Sequence, residues 1–192
     1  MRPTLTRADR EDHMHTELIE LIPEFNLFSD EDLKTDTLNA YVDALESGGW
    51  KPADLARMPF TLLIDPCPAS MIDHIRGVTR LSLAIADALE IAHPGKPAMK
   101  ANRDLLLAGA LLHDVGKLVE YEEKEGKFTV SRAGKLLRHP LSGMGIARAA
   151  GLPDEIQHAI AYHSHEGDKN RATLEAIIIN HADFLNFEPF RI

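Results

Sequence analysis

The chain has 192 residues, a formal net charge of -9, 10 histidines and a single cysteine, Cys67. That length suits one domain with a full hydrophobic core, and the acidic balance argues against an extended surface for long nucleic acid. One cysteine forms no intramolecular disulfide and no thiolate zinc site, which suits a reducing cytoplasm.

The opening "MRPTLTRADREDHMH" lacks the apolar stretch of a signal peptide. No apolar run approaches the roughly 20 residues of a membrane span, so a cytoplasmic protein with no membrane partner is expected. Residues 11–22 form a short acidic helix that stops before Pro23. In "SDEDLKTDTLNAYVDALESGG", Ser29 and Asp32 stand at capping-box spacing, and Gly48 and Gly49 give the stop. "KPADLARM" adds one or two turns. "PFTLLIDPCPAS" reads as an ordered connection into the main domain, on which Leu62, Leu63 and Ile64 pack.

From Met71 the pattern strengthens. Helix 71–91 carries His74, Val78, Leu81 and Ile85 in one stripe. "HPGKP" at 93–97 is a loop, and helix 101–118 follows. "VEYEEKEGKFTVSR" suits a small hairpin around Gly126. Further helices are predicted at about 138–150, 153–163 and 172–187. The fold class is therefore all-α: a helical bundle at residues 66–192 with a small N-terminal helical extension at residues 1–65.

Several polar residues fall on the inward faces of these helices. Residues three and four apart share a face. On helix 101–118, Leu106, Ala110, His113 and Lys117 form one row, with Asp114 beside it. His74 continues the stripe of helix 71–91. His163 lines up with Ile156 and Ile160, and Asp183 follows Ile179. A lone inward histidine is most simply a core group bonded to a carbonyl. Four such groups, His74, His113, Asp114 and Asp183, would each need a separate partner, and one divalent cation in the bundle core satisfies them together. His13, His15, His93, His158 and His181 face elsewhere or lie in a loop or an acidic exposed helix.

The segments "DHIRGVTRLSLAIA", "LLLAGALLHDVGK" and "IIINHADFLNF" resemble, in this order, the motifs of the HD superfamily of metal-dependent phosphohydrolases. The resemblance covers residues 70–187. It implies that His74, His113, Asp114 and Asp183 hold a first metal ion. "RHPLSG" and "AYHSHEG" resemble the additional elements of two-metal members. There Asp114 would bridge two ions, with His139 and His163 on the second. Many such members have adjacent histidines where this chain has His163 and His165 separated by Ser164, and helical phase favours His163. The Gly-Tyr-Pro of cyclic-dinucleotide phosphodiesterases is missing from "HSHEGDKN", so that substrate is not implied. "NRDLLLAGALLHDVGK" also resembles the HD domain of certain bacterial exoribonucleases, but their nucleic-acid-binding barrel has no counterpart in the helical first 65 residues.

Imidazoles and carboxylates without thiolate suit one or two ions of Fe, Mn, Co, Ni or Zn. In such a site the metal activates water for attack on phosphorus. Lys117 shares a face with His113 and Asp114, where its ammonium would hold a phosphoryl oxygen or offset the helix dipole. His165 and Glu166 would exchange a proton near the leaving group. Gly116 allows close helix approach. Glu120, Glu122, Glu123 and Glu125 read as a solvated face. Arg132, Lys135 and Arg138 either guide an anion or are plain surface. Loops 93–100 and 120–137 are expected to wall the pocket. The favoured function is hydrolysis of a phosphomonoester or phosphodiester in a small anionic molecule, a nucleotide above all. The alternatives are an HD-type diiron oxygenase and a non-catalytic binding module.

Overall fold

A computed structural model describes residues 6–192. Met1–Leu5, and with them the start of the stretch read as lacking a signal peptide, lie outside the described residues. The helices, in chain order, are α1 (Arg7–Leu21), α2 (Glu31–Gly48), α3 (Met71–Ala92), α4 (Arg103–Leu112), α5 (Lys117–Glu120), α6 (Arg132–Leu136), α7 (His139–Ala149), α8 (Asp154–Tyr162) and α9 (Leu174–Phe187). Strands β1 (Tyr121–Lys124) and β2 (Lys127–Val130) form the one sheet among the described residues, an antiparallel hairpin. Glu125 and Gly126 both take positive φ in its two-residue turn, matching the twist of paired strands. No helix among the described residues is long and apolar enough to cross a membrane.

Local chemistry sets the helix ends. Ser70 and Asp73 cap α3 reciprocally, a capping box. Thr173 caps α9, and Asn102 accepts from the Asp104 and Leu105 N–H groups at the start of α4. In α2 the cap is Asp30, not Ser29: Asp30 accepts from the Asp32 and Leu33 N–H groups. Ser29 instead bonds Asp104 through its backbone N–H and its hydroxyl, tying the entry of α2 to α4. Gly49 ends α2 in the left-handed region, which costs a glycine nothing.

The apolar stretch of α4 is buried on every side from Leu106 to Leu112, so the rest of the bundle packs around it. One core cluster joins Leu18, Ile22, Phe25, Tyr41 and Leu45 of the first helices to Met71, Ile75, Leu107, Leu111 and Val115. A second joins Leu106 and Ala110 to Ala86, Ala159, Ile178 and Ile179. Leu63, expected to pack inward, is 81% exposed; it sits at the rim of a cavity between the connection and α9.

The predicted helix 101–118 is interrupted. Regular α4 ends at Leu112, and the chain tightens to three-residue turns, Leu112 O to Val115 N (3.0 Å) and Asp114 O to Lys117 N (2.9 Å). The last carbonyls of α4 find other partners. The Tyr41 hydroxyl donates to Leu111 O at 2.6 Å, and the His113 ring bonds Ala110 O at 2.7 Å. Helix ends leave such carbonyls unpaired, and these side chains fix the point where the polar pair begins.

Candidate metal centre

His74 projects from the first turns of α3, His113 and Asp114 from the tight turn after α4, His139 from the start of α7, His163 from the end of α8 and Asp183 from α9. The four histidines and Asp114 are all buried, Asp114 to 2% exposure. Two groups of donors lie close enough to share an ion: His74, His113 and Asp114, and Asp114, His139 and His163.

Asp114 stands between them and uses its oxygens differently. Oδ2 lies 3.3 Å from His74 Nε2 and 3.4 Å from His113 Nε2. Oδ1 lies 3.4 Å from His139 Nε2 and 3.7 Å from His163 Nε2. Asp183 Oδ1 is 3.1 Å from His74 Nε2 and 4.0 Å from His113 Nε2.

The outer nitrogens of the rings decide what the inner ones can do. His113 and His163 occupy equivalent places, each at the end of a helix. Each bonds the carbonyl three residues back through Nδ1, Ala110 O and Ile160 O respectively, both at 2.7 Å. A carbonyl can only accept, so Nδ1 carries the proton and Nε2 presents a bare lone pair to the centre. His74 Nδ1 bonds Asn186 Oδ1 at 2.8 Å, and His139 Nδ1 bonds Glu120 at 2.9 Å. Both acceptors fix which ring nitrogen faces the centre, as outer partners do for a histidine that binds a metal.

These atoms fit a transition-metal ion. Donors each about 2.1 Å from one ion stand about 3.0–3.4 Å from each other. His74 Nε2 and His113 Nε2 are 3.2 Å apart, with both Nδ1 atoms engaged by acceptors. Both Nε2 atoms therefore point at one position, which either a proton on His74 or a cation fills. Thiolate is missing from the donor set, which favours metals that accept imidazole and carboxylate.

Charge in the metal-free centre follows the same contacts. Burial alone would push the Asp114 carboxyl up, but Lys117 and the neighbouring histidines hold it well below its ordinary value. Burial also opposes ionisation of Asp183, and its bond to His74, with the nearby imidazoles, outweighs burial and brings it down to about 2. His74 loses charge stability through burial yet is raised to about 9 by its bonds to Asp114 and Asp183. His163, buried beside His113 and His139, is lowered to about 3. A proton therefore stays on His74 where a metal ion would compete for it.

Lys117 lies between the centre and the chain that covers it. Its buried ammonium donates to Asp114 Oδ2 and to Phe60 O, both at 2.6 Å. His165 stands apart from the donors: its ring is exposed, 3.5 Å from Asp168, and packs edge-on to Phe184. Glu166 pairs with Arg138. Glu120, expected on a solvated face, accepts from the His139 ring and backbone N–H instead. Gly116 lets the turn meet α7: a Cβ there would fall 2.1 Å from His139 O.

A cavity of about 250 Å³ opens onto the centre, where His74, Asp114, His139 and Asp183 reach its lining. Phe60, Leu62 and Leu63 from the connection, and Phe184 and Phe187 from α9, give it an apolar side. Loop 93–100 contributes nothing to the lining. Glu120, Tyr121 and Val130 do, because the β-hairpin folds beside the metal centre.

The chain is 32% identical to dihydroneopterin 2',3'-cyclic phosphate phosphodiesterase of Methanocaldococcus jannaschii over 116 residues, 59% of this chain and 44% of that one. It is 30% identical to 3'-5' exoribonuclease YhaM of Geobacillus over 130 residues, 62% of this chain and 39% of that one. It is 36% identical to Ribonuclease Y of Thermus thermophilus over 102 residues, 52% of this chain and 15% of that one. The matches span less than half the length of these relatives. No solved structure matches significantly. The HD domain family matches residues 71–186, more than half of the chain and a stretch holding all six donors, and the chain belongs to that family.

Proposed function

We propose that the protein is a metal-dependent phosphohydrolase that cleaves a phosphomonoester or phosphodiester bond in a small molecule, a nucleotide or similar ring-bearing phosphate. The observation that carries this reading is Asp114, whose two oxygens face two separate histidine pairs. In it, His74, His113, Asp114 and Asp183 hold one ion, and His139 and His163, with Asp114 shared, hold a second. The ions would be Fe, Mn, Co, Ni or Zn. Divalent ions held there supply Lewis acidity and lower the pKa of bound water.

The chain's own groups do the rest. Lys117 keeps Asp114 ionised, and its ammonium has a third N–H beyond those spent on Asp114 and Phe60. That donor is available to a phosphoryl oxygen in the cavity. Asn186, Glu120 and the carbonyls of Ala110 and Ile160 hold the rings in one orientation, so little reorganisation accompanies the reaction. In this reading His165, on the cavity lining but outside the donor group, would exchange a proton with the leaving oxygen.

Substrate size supports a small molecule. About 250 Å³ suits one heterocycle with its sugar and phosphate, and the wall of Phe60, Phe184 and Phe187 suits the ring. The phosphodiesterase from Methanocaldococcus jannaschii is named for a cyclic phosphate of a pterin, which fits the same dimensions. Relatives named as a phosphodiesterase and ribonucleases favour hydrolysis over oxygenation.

The test is hydrolysis of bis-p-nitrophenyl phosphate, p-nitrophenyl phosphate and nucleoside 2',3'-cyclic phosphates with Mn, Fe, Co, Ni or Zn added. Turnover should need metal, stop with chelator and vanish in Asp114→Ala. A metal-loaded protein that cleaves none of these would refute the reading.

A further inference from the structure

The cavity contains polar groups that metal binding leaves unused. Tyr121 is 5% exposed and lines the cavity. Among the described residues its hydroxyl has no hydrogen-bond partner in the protein. The hydroxyl oxygen is not sealed from solvent, so it opens to the cavity. The hydroxyl of Tyr41, the other deeply buried tyrosine, is spent on Leu111 O. Arg138 lines the same cavity with its side chain half-exposed. Its one protein partner is Glu166, contacted through Nη1. A guanidinium has five N–H donors, so most of Arg138's remain unspent.

The two residues flank one contact of the backbone. Glu120 accepts from the backbone N–H and ring of His139. Tyr121 follows Glu120 and Arg138 precedes His139, so both flank this one contact. Val130, the β2 partner of Tyr121, lines the cavity beside them. Lys117, the other cation on the lining, is held against Asp114 and Phe60 O, which leaves one N–H for the phosphoryl group at the centre. Tyr121 and Arg138 thus both line the cavity without belonging to the donor group.

We propose that Tyr121 and Arg138 form an anion subsite beside the metal centre, which binds a second anionic group of the substrate, a phosphate or carboxylate other than the one that is cleaved. The proposal rests on the phosphohydrolase reading and narrows it: the preferred small molecule carries two anionic groups on one scaffold. Arg138 supplies charge and a planar fork that matches phosphate, and Tyr121 supplies a neutral donor. Glu166 keeps Arg138 aimed across the mouth when the subsite is empty.

Calorimetric titration of the metal-loaded protein with adenosine 3',5'-bisphosphate, adenosine 3'-monophosphate and adenosine 5'-monophosphate tests this. The wild type should bind the bisphosphate about tenfold or more tighter than either monophosphate, the size of one charge-assisted contact. Arg138→Gln should bring the three within about twofold of one another, and Arg138→Lys should keep part of the preference. Tyr121→Phe should weaken bisphosphate binding severalfold with metal content and Tm unchanged. Equal wild-type affinity for all three ligands, or an intact preference in both Arg138→Gln and Tyr121→Phe, would overturn the subsite. Tyr121→Phe removes one oxygen from a packed ring and decides the question should Arg138→Gln fail to fold. Hydrolysis measured on the same preparations separates the two ideas: selective binding without turnover refutes the reaction and keeps the subsite.

Discussion

Glu120 grips His139 twice, accepting from its ring Nδ1 at 2.9 Å and from its backbone N–H. The carboxylate is half-buried, and although burial raises its pKa, the bonds to His139 bring it below the ordinary value. It thus holds the first residue of α7 in register with the turn after α4. Outer partners of metal-binding histidines typically affect affinity about 10–100-fold. On the proposed two-ion reading, Glu120→Ala should weaken metal binding at Asp114, His139 and His163 by that order while leaving binding at His74 and His113. Metal stoichiometry by plasma mass spectrometry, falling towards one ion per chain, checks this.

Lys117→Met should destabilise the metal-free protein by about 3 kcal/mol, because it strands the buried Asp114 carboxylate. Added metal should recover much of the loss, since a cation replaces the ammonium as counter-charge. Thermal unfolding with and without metal measures both effects. Equal losses in the two states would assign Lys117 a packing role only.

The charge pattern of the metal-free centre gives a stability maximum near pH 6.5. His74, raised to about 9, stabilises fully below 6.5 and loses that contribution as pH climbs from 6.5 to 9. The stake is about 3 kcal/mol. His163, lowered to about 3, acts in the opposite direction: its burial costs nothing above 6.5 and progressively more as pH falls towards 3. Asp183, lowered to about 2, adds a further loss between 3.8 and 2. Chelator-treated protein should therefore show its highest Tm near neutrality, with a decline towards pH 9. Metal-loaded protein should lack that alkaline decline, because the ion takes the place of the His74 proton.

Gly116→Ala places a Cβ 2.1 Å from His139 O and 2.6 Å from Gly143 N, both backbone atoms that yield only if α7 moves. A loss of about 3 kcal/mol or more is expected. Any protein that folds should have lost the His139–Asp114 approach. Chemical denaturation and metal titration of the variant read the two consequences.

Much of the centre was legible in the sequence because helical phase is a local property. The stripe ending in His74 and the row Leu106, Ala110, His113 needed only a period of 3.6, and the same phase separated His163 from His165. The structure brings His74, His113, Asp114, His139, His163 and Asp183 together and leaves His165 at the cavity edge. Glu120 read as one more acid in a charged run, since its tie to His139 spans 19 residues and depends on how the hairpin folds back. Asn186, three residues after Asp183 on the same face of α9, carries no charge or motif that signals its bond to His74. The break in helix 101–118 was hidden too. Gly109 lies inside regular α4 and no proline falls in the stretch; the break exists because Tyr41 and the His113 ring take the carbonyls that a longer helix would have used. Ser29 lost its capping role to Asp30 because Asp104, 75 residues away, offered it a stronger partner.

The most direct test of the shared-ion account is metal analysis of protein purified without chelator, then reloaded anaerobically with Mn, Fe, Co, Ni or Zn, beside His74→Ala and Asp114→Ala. Tightly held metal at one to two ions per wild-type chain, reduced in His74→Ala and nearly lost in Asp114→Ala, is the predicted result. Wild-type protein that retains none of these metals, or an Asp114→Ala variant that retains them all, would contradict it.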